Sequence, residues 1–204
     1  MEAKPYSLEE QSTDSESIEF WFDFGSPYSF LSAMRISAHR NGNFLWKPFL
    51  LTGVFDHVGW HGALSQSSQD KKQYVWRDVE RTCKKFGFAF VKPSRFPRLG
   101  ETATAIGAYA RGREWQPLFC RDVFQLNFQY DIDIDSSLVI RSLLKKHYVH
   151  DDFCYEILNN PSLIALINRR EIENAIGRAV FGSPTFFSNG EMFWGNDRLS
   201  DALG

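Results

Sequence analysis

An apolar run that stops at a glycine and passes directly into a helix start constrains the fold most strongly. Ile18–Phe24 reads IEFWFDF, which is short, β-branched and aromatic and is typical of a buried strand, and it carries one acid, Asp23. Gly25 breaks the strand. Ser26 is a good N-cap and Pro27 suits the first helical position, so we predict that a helix begins here.

A second strand follows this helix. The helix pattern runs to about His39, and Asn41-Gly42-Asn43 ends it. Phe44–Leu51 (FLWKPFLL) then predicts another strand, in which Pro48 indicates an edge position or an early end. A strand, a helix and a strand in this order form a βαβ unit, so the first two strands should be parallel.

The middle of the chain, from Asp70 to about Asn174, has helical periodicity and few strand signals. Pro93 and Pro97 mark an extended loop within it. The predicted helices are DKKQYVWRDVERTCKKFG, ETATAIGAYARG, PLFCRDVFQLNFQY, SSLVIRSLLKKHY, DDFCYEILN and PSLIALINRREIENAIG.

Strand signals return near the end of the chain. Pro184–Ser188 (PTFFS) and Glu191–Trp194 (EMFW) flank Asn189-Gly190, and an Asn-Gly pair between two apolar runs predicts a hairpin. Asn196-Asp197 can cap a last short helix. The predicted order is therefore βαβ, a helical block, then αββα.

Composition excludes several classes of protein. The net charge of −2 gives no electrostatic case for a nucleic-acid partner, and no apolar run approaches the ~20 residues of a membrane span. The polar, acidic start resembles neither a secretory signal nor a transit peptide, so we expect a cytoplasmic protein with a disordered tail. The scattered cysteines, Cys83, Cys120 and Cys154, form no C-x-x-C pair and fit a reducing compartment.

Two residues at the end of the first predicted strand, Asp23 within it and Ser26 just after it, have both a structural and a functional interpretation. Ser26 is an ordinary helix cap, but a helix N-terminus also offers unpaired N–H groups and a partial positive charge, which stabilise a thiolate. Asp23 is either a structural hydrogen-bonding acid or a group that handles a proton. No metal site is expected, because His57 and His61 lack the glutamate of H-E-x-x-H and the Asp131–Asp135 run lacks the glycine and glutamate of a calcium loop.

Five stretches carry a resemblance to a known family: FDFGSPYSFL, KPFLLTGVF, YVWRDVER, FGSPTFF and GEMFWGNDRL. In this order they resemble the 2-hydroxychromene-2-carboxylate isomerases, relatives of the kappa-class glutathione transferases and, more distantly, of the DsbA-like disulfide oxidoreductases. The resemblance covers about Ile18 to Leu203. It implies an α/β, thioredoxin-like fold with a large all-helical insertion: residues 18–54 and 163–204 form the thioredoxin-like domain, 55–162 the insertion, and 1–17 the disordered polar tail.

The resemblance also implies a glutathione site. Ser26 matches the glutathione-activating serine and stands where the oxidoreductases have the first cysteine of C-x-x-C, while Ser29 stands at the second. With serine at both positions, the chain cannot exchange disulfides there. Pro184 matches the cis-proline that faces the site, and the backbone of Ser183 should pair with the cysteinyl part of glutathione.

The other end of glutathione is assigned by the stretch GNDRL. Asp197 and Arg198 match the residues that hold the γ-glutamyl end, and their neighbour Asn196 is included in the predicted glutathione site. Such a role suits charged residues because glutathione carries two carboxylates and an amine.

A small aromatic molecule is the implied substrate. Lys71, three residues before Tyr74, resembles the lysine beside the family's site and would bind a substrate carboxylate. Aromatic side chains would hold the bicyclic rings, namely Phe24, Trp46, Phe49 and Trp60. The sequence departs from the family in HVGWHGA (57–63), where Trp60 replaces the asparagine of a T-G-N-x-P-P-like loop.

The implied activity is glutathione-dependent isomerisation of a 2-hydroxychromene-2-carboxylate-like compound to its trans-benzylidenepyruvate form. A thiolate that adds to the conjugated double bond lets it rotate, and elimination restores the bond. Two alternatives stay open: conjugation of electrophiles, as in the kappa transferases, and a binding module without catalysis. The sequence also leaves a homodimer open.

Overall fold

The computed structural model describes residues 17–38, 43–60 and 67–204. The predicted tail therefore lies outside the described residues, except for Ser17. So do Asn41 and Gly42, which were expected to end the first helix, and residues 61–63 of the HVGWHGA stretch.

One mixed sheet forms the centre of the fold. Its strands are β1 (Ile18–Phe22), β2 (Phe44–Pro48), β3 (Thr185–Ser188) and β4 (Glu191–Trp194), in the order β2-β1-β3-β4. β1 and β2 are parallel, whereas β3 runs antiparallel to both β1 and β4. The predicted βαβ unit and the C-terminal hairpin are thus confirmed.

Helices occupy most of the remaining described chain. Their bounds are α1 (Pro27–Ala38), α2 (Leu51–Val58), α3 (Gln69–Phe86), α4 (Glu101–Tyr109), α5 (Gln116–Phe128), α6 (Ser137–Lys146), α7 (Asp152–Asn159), α8 (Pro161–Gly177) and α9 (Leu199–Leu203), with a 3₁₀ turn at Asn196–Arg198. The six helices predicted between Asp70 and Gly177 all form, within a few residues of their expected ends.

The segment after β2 differs from the prediction. We expected a strand as far as Leu51, but β2 ends at Pro48 and Leu51 begins α2. Pro48 has no N–H to continue a ladder, and β2 is an edge strand, as proline requires. The start of α2 has no side-chain cap of its own, and the Leu51 N–H donates instead to the Asp23 carboxylate at 2.8 Å.

Each face of the sheet has its own apolar core. One core joins the sheet to α1 and the helical block through stacked and edge-on phenylalanine rings, among them Phe22, Phe24 and Phe124. The second core is smaller and lies against α2 and α8; its buried members are Trp21, Phe49, Val54, Ala175, Val180 and Phe187. The many phenylalanines therefore serve mainly to pack the sheet against the helices.

The hairpin turn shows why Asn-Gly was informative. Asn189 and Gly190 both have positive φ, 51° and 80°, which the two-residue turn requires and which asparagine and glycine tolerate best.

The proposed division into a thioredoxin-like domain and a helical insertion stays a prediction. Its boundaries, 54/55 and 162/163, fall inside α2 and α8.

Candidate functional site

Ser26 lies at the junction of β1 and α1 and makes two hydrogen bonds through its hydroxyl. The Oγ atom accepts a hydrogen bond from the Ser29 N–H at 3.2 Å, which is the capping contact expected at a helix N-terminus. The same hydroxyl donates to the carbonyl of Ser183 at 3.1 Å. Ser26 is thus a cap that also touches the loop before β3, so the two interpretations of this residue are compatible.

Ser29 and Ser183 complete a group of three hydroxyls at this point. Their Oγ atoms lie 2.7 Å apart, and Ser183 Oγ also accepts a hydrogen bond from the Asp23 N–H at 2.8 Å. Ser29 is fully buried, whereas Ser26 and Ser183 are half-buried and face the surface. The Ser183–Pro184 peptide bond is cis, as the resemblance implies.

Asp23 links the backbone segments around this group through hydrogen bonds. Its carboxylate accepts the Gly25 N–H at 2.6 Å and the Leu51 N–H at 2.8 Å, so it links the start of α1 to the start of α2. Burial raises the pKa of Asp23 to about 6, although the two backbone hydrogen bonds act in the opposite direction. The structure therefore gives Asp23 a structural role and leaves its carboxyl close to titration at neutral pH.

Asn196 is predicted to bind glutathione, but its side chain is largely occupied within the protein. The Asn196 Oδ1 atom accepts hydrogen bonds from Ser32 Oγ and an Arg35 amino group, each at 3.1 Å, and the same Arg35 group donates to the Asn196 carbonyl at 2.5 Å. Asn196 thereby ties the turn after β4 to α1.

Sequence reasoning missed Ser32 and Arg35, which position this turn. The available signal was the spacing of Ser26, Ser29 and Ser32, three residues apart, which puts successive hydroxyls along one side of α1. Burial lowers the pKa of Arg35, an effect that Asp197 opposes, so this guanidinium also adds positive charge near Asp197.

Asp197 and Arg198 stand on the surface beyond the buried turn. Arg198 pairs with Asp201 at 3.0 Å and with Asp197 at 3.5 Å, and its side chain remains 56 % exposed. Both charges are accessible to a charged ligand. Their assignment to the γ-glutamyl end stays a prediction.

The two predicted substrate-binding residues on the helical side are exposed. Lys71 lies in the first turn of α3, a helix that packs against α1, with Tyr28 donating to Asp78 at 3.0 Å. Trp60 follows α2 and is 47 % exposed, with its ring edge-on to Phe55 at 4.4 Å. No direct contact joins either residue to Ser26 within the described chain, so their roles stay predictions.

Phe24 is a correction to the predicted substrate site. Its side chain is 0 % exposed and packs against Phe22 and Phe124, so no face of the ring is open to a substrate. Trp46 and Phe49 are buried in the same way. Of the four aromatic residues expected to hold the substrate, Trp60 alone has an exposed ring.

The cysteines take no part in this arrangement. Cys83, Cys120 and Cys154 are free and buried, and burial raises the pKa of Cys83 and of Cys154 to about 12 and that of Cys120 well above its usual value. None is a ready nucleophile. Among the described residues no cluster of metal ligands occurs, and none of their helices is long and apolar enough to cross a membrane; His61 lies outside them.

This arrangement can bind and polarise a small ligand beside the α1 N-terminus. It offers the Ser26 hydroxyl, the positive end of the helix and, within the described chain, a Ser183 N–H that has no acceptor. It has no thiol of its own for redox chemistry, so a thiol-dependent reaction at this place requires a ligand that brings one.

Comparison with known proteins gives relatives that match nearly the whole chain. The 2-hydroxychromene-2-carboxylate isomerase of Sphingobium xenophagum is 26 % identical, covering 91 % of this chain and 95 % of the relative. The enzyme of the same name from Pseudomonas putida is 28 % identical over 89 % and 90 %. Glutathione S-transferase kappa 2 of Caenorhabditis elegans is 23 % identical over 89 % and 88 %.

Solved structures agree on the fold. A 2-hydroxychromene-2-carboxylate isomerase superposes with a TM-score of 0.80 at 24 % identity, covering 90 % of this chain and 91 % of that one. A probable DsbA oxidoreductase from Streptomyces coelicolor gives 0.68 at 15 %, over 92 % and 88 %. The model of the DSBA-like thioredoxin domain matches residues 17–203, and the chain belongs to this family.

Proposed function

We propose that this protein is a glutathione-dependent isomerase of 2-hydroxychromene-2-carboxylate-like aromatic compounds, and that it works in the cytoplasm. The observation that carries the proposal is the Ser26 hydroxyl, held at the N-terminus of α1 against the carbonyl that precedes cis-Pro184. Relatives with this isomerase name, matched over about nine-tenths of the chain, support the same class of reaction.

The residues present fit glutathione. Its thiolate would lie at the α1 N-terminus, where the helix dipole favours negative charge and where, within the described chain, the Tyr28 N–H has no acceptor. The unpaired N–H of Ser183 offers a backbone partner to the cysteinyl part. Arg198 and Asp197, both exposed, offer the charges that the γ-glutamyl carboxylate and amine need.

When bound, glutathione supplies a thiolate that adds reversibly to the conjugated double bond of the substrate and so allows rotation about it. The protein's part is to keep this thiol ionised. A free thiol has a pKa of about 8.5, and a helix N-terminus lowers it toward or below neutrality. The Ser26 hydroxyl adds a donor at the same point.

Ser26 must turn its hydroxyl proton to perform this role. In the present structure the proton points to the Ser183 carbonyl. A ligand N–H at that carbonyl would take its place, and the hydroxyl would then be free to donate to sulfur. The capping contact with the Ser29 N–H uses a lone pair of Ser26 Oγ and is compatible with either orientation.

Lys71 and Trp60 remain as substrate contacts in this proposal. The ammonium of Lys71 would pair with the substrate carboxylate, and the exposed Trp60 ring would cover the aromatic rings. Trp60 rests on Phe55 at the end of α2, so the position of α2 sets how far the indole reaches.

The similarity to a kappa-class glutathione transferase supports a second candidate function, the conjugation of glutathione to electrophiles. The products separate the two reactions. An isomerase gives a product of the same mass as its substrate and leaves the glutathione concentration unchanged, whereas a transferase gives an adduct and consumes glutathione.

Calorimetric titration with glutathione, followed by mass analysis after incubation with 2-hydroxychromene-2-carboxylate, tests the proposal. We expect saturable heat and an isomer of equal mass, formed only when glutathione is present. Saturable heat with an adduct as product would favour the transferase. The absence of any heat would contradict glutathione dependence and favour a binding module without catalysis.

A further inference from the structure

The loop that carries Ser26 rests on a buried arginine of the segment before α4. Arg98 is only 3 % exposed, although its guanidinium is always charged. Its backbone carbonyl lies so close to Gly25 that a Cβ atom at this glycine would come within 2.8 Å of it. The residue just before Ser26 therefore has no space for a side chain.

Asn127 on α5 connects this arginine to the loop. Its side chain is buried, with 1 % exposure, and its Nδ2 group donates to the Phe24 carbonyl at 3.1 Å. Its Oδ1 atom accepts from an Arg98 amino group, also at 3.1 Å. Because a guanidinium can only donate, it fixes the amide orientation, with the Nδ2 group facing Phe24.

Arg98 is itself fixed by acceptors on the far side. Asp131 accepts from its second amino group at 2.6 Å and balances its charge, and the carbonyl of Ile132 accepts from the first at 3.3 Å. A continuous series of hydrogen bonds thus runs from Asp131 through Arg98 and Asn127 to the carbonyl of Phe24, two residues before Ser26.

We propose that Asn127 and Arg98 are positioning residues, which fix the Ser26 loop from the helical part of the protein and so set the pKa of bound glutathione. The hydroxyl of Ser26 and the N-terminus of α1 would act on the sulfur over hydrogen-bond distances, so a small displacement of the loop would weaken both effects. The effect on glutathione rests on the proposed function; the effect on the loop does not.

Asn127→Asp is the sharpest test, because it replaces only the amide NH2 group by oxygen and keeps the shape of the side chain. The carboxylate retains an acceptor for Arg98 but loses the donor to the Phe24 carbonyl. We expect an apparent pKa of bound glutathione, followed by thiolate absorbance near 240 nm, about half a unit to one unit higher, and an affinity for glutathione about threefold to tenfold weaker.

Gln116→Glu is the matched control. Gln116 is a buried amide on the same helix and donates to the carbonyls of Trp46 and Gly107 at 2.9 and 2.7 Å, so its loss also leaves buried acceptors unpaired. It does not contact the Ser26 loop. We expect it to lower the denaturant midpoint as Asn127→Asp does, without moving the glutathione titration.

Hydrogen exchange provides a measurement that needs no glutathione. Under native conditions the amides of residues 24–30, apart from Pro27, should exchange about tenfold faster in Asn127→Asp and at the wild-type rate in Gln116→Glu. If the wild-type protein binds no glutathione, the proposed function fails and exchange alone decides the positioning role. Unchanged exchange would overturn the inference, and so would a variant with wild-type affinity and titration if the wild-type protein binds glutathione.

Arg98→Lys is a second variant in case Asn127→Asp does not fold. Lysine keeps the positive charge beside Asp131, but a single ammonium cannot reproduce the planar set of donors to Asn127 and to the backbone. We expect the same direction of change in both measurements with a smaller size. A titration and exchange pattern identical to the wild type would contradict the role of Arg98.

Discussion

The two ends of the predicted glutathione site are built differently. At the serine end, Ser26, Ser29 and Ser183 lie within a network of hydrogen bonds of 2.6–3.2 Å, over a buried Asp23. At the charged end, Asp197 and Arg198 are exposed and pair mainly with each other and with Asp201. The first end is fixed before any ligand arrives, whereas the second can rearrange around one.

This difference predicts where substitutions will matter. Groups held in a low-dielectric, hydrogen-bonded network have strong effects when one member is removed, because its partners are left unpaired. Exposed charges are screened by water and salt, and each contributes little. Four substitutions test the comparison.

Ser26→Ala should have the largest effect. A hydrogen bond to a charged group contributes about 1.5–3 kcal/mol, so we expect bound glutathione to ionise one to two pH units higher and the rate at neutral pH to fall roughly tenfold to a hundredfold. Loss of the cap should cost only ~1 kcal/mol of stability. Absorbance near 240 nm as a function of pH measures the ionisation of bound glutathione, and steady-state kinetics measure the rate.

Asn160→Ala is the control for this variant. Asn160 caps α8 through its side chain, which accepts from the Leu163 N–H at 3.1 Å, so a similar loss of stability is expected without loss of activity. Equal activity in Ser26→Ala and the wild type would reduce Ser26 to a cap alone.

Asp23→Asn should change how stability depends on pH. Because the folded pKa of about 6 lies above the unfolded value near 3.9, the folded protein binds more protons between these values, and its stability falls as pH rises through this window. Asparagine removes this dependence, so the wild type should lose about 2 kcal/mol relative to the variant between pH 4.5 and 7.5.

Urea unfolding at the two pH values measures this change, with Glu156→Gln, an exposed acid on α7, as control. At pH 4.5 Asp23→Asn should be less stable than the wild type, because an amide at this position cannot accept from both the Gly25 and the Leu51 N–H. A constant difference across the pH range would mean that Asp23 does not titrate in this window.

Arg198→Ala should weaken glutathione binding about threefold, as expected for an exposed charge, and leave the melting temperature unchanged. The loss should shrink as salt is added, because screening already weakens the pair in the wild type. Calorimetry at low and high salt measures it, and Arg170→Ala on the exposed side of α8 is the control. A loss of tenfold or more, independent of salt, would place Arg198 in a much more enclosed contact than the structure shows.

Lys71→Ala should have the smallest effect, about a twofold rise in KM for a substrate that carries a carboxylate, with kcat unchanged. Its neighbour Lys72→Ala is the control. An unchanged KM for the carboxylate substrate in Lys71→Ala, equal to that of Lys72→Ala and of the wild type, would remove Lys71 from the substrate site.

Parts of this molecule could be predicted because their signals are local. The Asn-Gly turn, the Ser-Pro start of α1 and the helical periodicity between Asp70 and Gly177 all depend on residues close in sequence, and each formed where expected. α2 was missed because Phe49-Leu50-Leu51 extends the apolar run of β2 without a cap signal, while its capping group, Asp23, directly follows β1.

The candidate site was predictable only as a set of positions. The resemblance assigned Ser26, Ser183 and Pro184, which the structure brings together at one point. The surplus of aromatic residues suggested Phe24 as a substrate contact, but the structure buries it, because an apolar strand pattern does not say which side of the strand faces a ligand. Arg98 and Asn127 carry no signal near Ser26 in the sequence and were not predicted.

The sequence by itself determined the order of strands and helices except for α2, the serine at each redox position and the helix start at Ser26, because backbone preferences and capping act over a few residues. The tertiary structure decided which carboxylate caps α2, which aromatic rings stay exposed and which buried charge supports the Ser26 loop. Those contacts join residues far apart along the chain, such as Asp23 with Leu51 and Asn127 with Phe24, and only packing of the sheet against the helices brings them within hydrogen-bond distance.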